Sequence, residues 1–71
     1  MHMIYVDSAS LDQIGFDTAE GELHVIFKNG NHYIYSGVSE DMWTQFKDAG
    51  SKGTFLNNEF KAKAYPCRKV S

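Results

Sequence analysis

The sequence predicts an α+β domain, a four-stranded antiparallel β-meander followed by two short α-helices packed on one face. Three observations predict it. Apolar and polar residues alternate along much of the first half. The dipeptide Asn29-Gly30 sits between two such runs, a strong short-range sign of a hairpin because both residues tolerate positive φ. Beyond Ser39, Met42, Trp43, Phe46 and Ala49 recur at helical spacing instead. Strands first and helices afterwards is the order of an α+β layer fold.

The first strand, Met3 to Val6, ends at the turn-forming pair Asp7-Ser8. A second runs from about Leu11 to Asp17 and a third from Glu22 to Lys28, joined through Thr18–Gly21. The fourth runs from His32 to Ser36. A two-residue loop at Asn29-Gly30 pairs Ile26 with Tyr33, Val25 with Ile34 and His24 with Tyr35. One face then carries Leu23, Val25, Phe27 and Ile34, and the other His24, Ile26, Tyr33 and Tyr35. Pairing across Thr18–Gly21 adds Ile14 and Phe16 to the first face and sets Gly15 opposite His24, where it leaves room for a bulky neighbour. The aliphatic face is the expected core. Ser39 has the character of an N-cap, with Glu40 and Asp41 where a helix dipole favours anions. Gly50 is the expected stop. A second helix starts between Lys52 and Thr54, carries Phe55, Leu56, Glu59 and Phe60, and ends at Tyr65-Pro66.

A chain of 71 residues holds one domain, 1–71, with residues 1–3 and 67–71 expected to be flexible. No apolar run approaches the roughly 18 residues of a membrane span, and no signal peptide is expected. Cys67 is the only cysteine, so neither an intrachain disulfide nor a cysteine zinc cluster is possible. A cytoplasmic protein is the simplest fit. The net charge of −2 is unevenly spread: residues 1–46 carry −6, and residues 47–71 carry +4. That split either forms a basic face or is interleaved by folding.

Asp7-Ser8, Ile14-Gly15-Phe16-Asp17, Phe27-Lys28-Asn29-Gly30 and Tyr33-Ile34-Tyr35 together resemble the KTSC domain, a small domain also found at the C-terminus of some lysyl-tRNA synthetases. Ser51-Lys52-Gly53-Thr54-Phe55, Asn57 and Tyr65-Pro66 resemble that family's second block. The likeness covers roughly residues 4–66. It implies a stand-alone member of the kind found in bacteria and their phages, and RNA binding of the sort suggested by the synthetase context.

Four groups of residues are candidates for chemistry. Tyr33 and Tyr35 either form a stacking platform for unpaired bases or are packing aromatics. Ser51, Lys52, Gly53 and Thr54, at a helix start, either cradle a phosphate or carboxylate or simply make the turn between helices. Lys61, Lys63, Arg68 and Lys69 either touch phosphates or solvate a helix face and a chain end. His24 and His32 fall on opposite faces in the register above and His2 lies near a chain end, so no metal site and no cofactor are expected. No nucleophile–base spacing supports an enzyme. The expected function is a non-catalytic binding module for RNA or single-stranded nucleic acid. The alternatives are a protein-interaction module, using the fourth-strand edge or the Trp43/Phe46 helix, and a binder of a small anion. The chain is expected to be a monomer or a weak edge-strand dimer.

Overall fold

The computed structural model describes residues 1–70. An antiparallel sheet in the order β1 (Met3–Tyr5), β2 (Leu11–Asp17), β3 (Glu22–Phe27), β4 (His32–Tyr35), β5 (Cys67–Lys69) forms one layer. The second layer is α1 (Glu40–Asp48) and α2 (Lys52–Phe55), the latter running on as a π-helical turn over Leu56–Lys61. The α+β class and the two-helix layer match the sequence-based expectation. The strand count is five, because Ala64 takes a left-handed φ of 56° and Tyr65-Pro66 turns the chain back along β4. The Ser36 amide donates to the Pro66 carbonyl at 2.9 Å and the Val70 amide to that of His32 at 2.7 Å. Residues 67–69 are therefore a strand, not a frayed end. The sheet edges are β1 and β5, so β4 offers no free edge to a partner.

The turn at Thr18–Gly21 gives the expected register, with Ile14 opposite Val25, Gly15 opposite His24 and Phe16 opposite Leu23. Asp17 accepts from the Ala19 and Glu20 amides, and Gly21 takes φ 65°. The second hairpin differs from expectation by one residue. Its loop is Lys28-Asn29-Gly30: the Gly30 amide donates to the Phe27 carbonyl at 2.9 Å and the Phe27 amide to that of Asn31 at 2.8 Å. Only Gly30 needs positive φ, at 93°, the pattern of a type I turn closed by a glycine bulge. The pairs become Leu23–Tyr35, His24–Ile34, Val25–Tyr33 and Ile26–His32. A slip of one residue exchanges faces. Tyr33 and Tyr35 thus join Leu23 and Val25 on the helix-covered side, while His32 and Ile34 join His24 and Ile26 on the open side.

The core forms where that covered face meets the helices. Leu11, Ile14, Phe16, Leu23, Val25 and Tyr35 from the sheet pack with Val38 and with Phe46, Leu56 and Phe60 from the helical layer. Ile34 is also buried, although no helix covers its face. Ser39 caps α1 as expected, its hydroxyl accepting from the Met42 amide at 3.1 Å. The helix ends before Gly50 is reached, since Ala49 is already extended. Phe46 is wholly buried and Trp43 stacks on Phe16 at 5.8 Å, so these two serve the core. No helix among the described residues is long and apolar enough to cross a membrane.

Candidate functional site

The π-helical turn shapes the main cleft. Its wider hydrogen bonds, Ala62 amide to Asn57 carbonyl at 2.9 Å and Tyr65 amide to Phe60 carbonyl at 3.1 Å, accompany a Phe60 held among Tyr35, Phe46, Phe55 and Tyr65. The next residue, Lys61, reaches over the Phe27 ring, its amine 5.5 Å from the centroid. Phe27, Asn29, Asn31, Tyr33, Tyr35, Lys61 and Cys67 together line a cleft of about 410 Å³, within the roughly 300–1,000 Å³ range of ligand sites. Tyr33 is half-buried and meets Phe27 edge-on at 5.6 Å. The lining contains one cation and no carboxylate. Lys69 lies opposite Tyr33 on β5 and so shares its face.

Tyr35 is 4% exposed and cannot offer a ring face to a base. Burial first, and the Cys67 thiol beside it second, push its phenol up to about 12. The unfolded chain loses this proton near its ordinary value of about 10, so the contribution to stability is fully present below pH 10. It falls as pH rises towards 12, by about 1.4 kcal/mol per unit. Urea midpoints from about pH 9 to 11 should decline less steeply in Tyr35→Phe than in the parent chain. Equal slopes would remove Tyr35 as the cause.

The other candidate residues lie elsewhere. Ser51, Lys52, Gly53 and Thr54 line a second cleft of about 370 Å³ with Asp7, Ser8, Ala9, Ser10, Gly50 and Asn57. The two sequence blocks that carry the KTSC likeness at either end of the chain thus meet in space. Two of their side-chain donors are already engaged: the Ser51 hydroxyl donates to that of Thr54 at 2.9 Å, and the Lys52 amine to the Ala49 carbonyl at 3.0 Å. With the Asp7 carboxylate in the same lining, the turn is poorly prepared for an anion. Lys63 is paired with Glu59 at 2.8 Å, and Arg68 with Glu22 at 3.1 Å. The latter bond ties the basic tail to the acidic first half. Of the predicted residues, Tyr33, Tyr35 and Lys61 come together. Phe27, Asn29, Asn31 and Cys67 are lining residues that sequence reasoning missed.

The histidines also need correction. His24 and His32 share the open face, with Nδ1 of one 3.1 Å from Nε2 of the other. Partial burial, then the facing His32, lower the His24 imidazole from its ordinary range, against the opposite pull of Glu22 and Asp17. No group of three or more His, Cys, Asp or Glu among the described residues is arranged around a metal position.

The family model for the KTSC domain matches residues 7–65. The chain belongs to the KTSC family. Among solved structures, a KTSC domain protein from Yersinia pestis superposes with a TM-score of 0.89 at 32% identity, covering 99% of this chain and 97% of that one. The five-stranded sheet and its helical layer are accordingly those of a KTSC domain. No curated protein matches the chain.

Proposed function

We propose that this KTSC domain is a non-catalytic, cytoplasmic binding module for single-stranded nucleic acid, RNA by preference, from a bacterium or phage. The observation that carries this reading is the cleft in which the half-buried Tyr33, the amides of Asn29 and Asn31, and Lys61 converge without a carboxylate. An aromatic wall suits a base of any identity, side-chain amides suit the edge of an unpaired base, and a lysine amine suits a phosphate. Neither Lys61 nor Lys69 has a carboxylate partner among the described residues, so both are available to phosphate. The site differs from a two-tyrosine stacking platform: Tyr33 alone is available for stacking, and Tyr35 supports the floor.

Fluorescence anisotropy with a short single-stranded RNA tests the reading across a salt series. Removing one phosphate contact from a single strand should reduce the slope of log affinity against log salt by about 0.7. Lys61→Ala is therefore expected to lower the slope by that amount, and Lys52→Ala to leave it unchanged. An absence of binding at low salt, or identical slopes for Lys61→Ala and the parent, would overturn the proposal. A second reading, recognition of a partner protein, has one observation in its favour. Edge strand β1 presents Tyr5, 78% exposed, where an extended segment could add to the sheet.

A further inference from the structure

The open face of the sheet holds a feature that the nucleic-acid reading does not use. His24 on β3 and His32 on β4 are diagonal neighbours there, both half-buried and facing each other through Nδ1 and Nε2 at 3.1 Å. We propose that this pair is a binding site for a late first-row transition-metal cation, with copper preferred, the two imidazole nitrogens serving as adjacent ligands and water completing the coordination.

The spacing carries the argument. Two nitrogens 3.1 Å apart, each at a metal distance of about 2.05 Å, subtend about 98° at the metal, between the square-planar and tetrahedral angles. The ring centroids are 5.2 Å apart and the planes are tilted by 54°. In the free protein one of the two nitrogens donates its N–H to the other, a hydrogen bond that the cation replaces by taking the place of that proton. A modest turn about χ2 redirects both nitrogens, and that torsion is broad for histidine. Imidazole suits copper, nickel and zinc, and the general affinity order places Cu(II) highest.

Two further features of this face favour a cation. Asp17 and Glu22 share the face with a single base, Arg68, by their positions in the register, leaving a negative balance beside the imidazoles. The Met3 thioether occupies the space that a Cβ on Gly15 would take, and Gly15 is paired directly with His24. A thioether is a soft donor of the kind that suits reduced copper. No helix packs on this side, so an ion has direct access from solvent.

Titration of the full chain with Cu(II) near neutral pH, followed by calorimetry and electron paramagnetic resonance, tests the site. One equivalent should bind with hyperfine structure from two imidazole nitrogens. His24→Asn and His32→Asn should each weaken that equivalent by at least about tenfold, a loss that even an outer partner of a metal ligand can produce. His2→Asn should leave it intact, which separates the pair from chelation by the chain terminus. Should either variant fail to fold, substoichiometric Cu(II) added to the unmodified chain should broaden the ring-proton signals of His24 and His32 before those of His2. The proposal is overturned if no saturable binding occurs below millimolar Cu(II). It is equally overturned if the bound equivalent, or the earliest broadening, follows His2.

Discussion

Phe60→Ala is expected to leave this domain largely unfolded at moderate temperature. Phe60 is fully buried and its ring lies 4.9 Å from Tyr65, 5.6 Å from Tyr35, 5.8 Å from Phe46 and 6.0 Å from Phe55. Through these rings Phe60 joins the sheet, α1, α2 and the returning segment before β5 at one point. Truncating a buried Phe costs about 3–5 kcal/mol, and the cavity here is ringed by rigid aromatics that cannot collapse into it. A 71-residue chain has a total stability of roughly 4–10 kcal/mol at typical values per residue. The loss therefore takes most of what there is. A thermal melt followed by circular dichroism should show the midpoint lowered by at least about 12 °C, at roughly 4 °C or more per kcal/mol for a domain this small. Phe60→Leu should recover part of the loss by refilling the cavity. A midpoint within about 5 °C of the parent for Phe60→Ala would show that the aromatic cluster is not the keystone.

The π-helical turn that seats Phe60 also places Lys61 over Phe27, so one local irregularity serves both stability and the cleft. It was not legible in the sequence. Phe55, Leu56 and Phe60 read as a helical stripe, and nothing in their spacing distinguishes a wider turn from an ordinary one. The first hairpin was legible because its apolar pattern and its turn agree: Ile14 and Phe16 match Val25 and Leu23 in only one register. The second was ambiguous for a physical reason. Tyr33-Ile34-Tyr35 has bulky side chains on both faces, so a slip of one residue exchanges one set for another of similar size. Asn29-Gly30 fits a two-residue loop with two positive φ angles, and it also fits a three-residue loop in which only Gly30 takes one. The longer loop decides the faces, and with them the partnership of Tyr33 with Lys61 and of His24 with His32. Strand β5 was invisible for a different reason. Cys67-Arg68-Lys69 has little apolar alternation, and it is ordered by pairing with β4 and by the Arg68–Glu22 bond.

Tyr33→Ala is expected to weaken single-stranded RNA binding by about 1–3 kcal/mol, roughly 5- to 150-fold, the range for losing one base–aromatic stack. Tyr33→Phe should stay within about threefold of the parent, because the ring rather than the hydroxyl meets the base. The salt slope discriminates between causes. Tyr33 carries no charge, so its loss should lower affinity equally at every salt concentration, whereas Lys61→Ala changes the slope itself. The substitution also removes the edge-on contact with Phe27 at 5.6 Å, so part of the effect could arise from a shifted wall. Phe27→Leu separates the two, since it breaks that contact while leaving the Tyr33 ring in place. Stacking on Tyr33 requires Phe27→Leu to retain most of the affinity that Tyr33→Ala loses. If both variants lose binding alike, the cleft wall matters only as a shape. If Tyr33→Ala binds RNA as tightly as the parent, a base does not stack here, and the exposed edge at β1 becomes the better-supported docking surface.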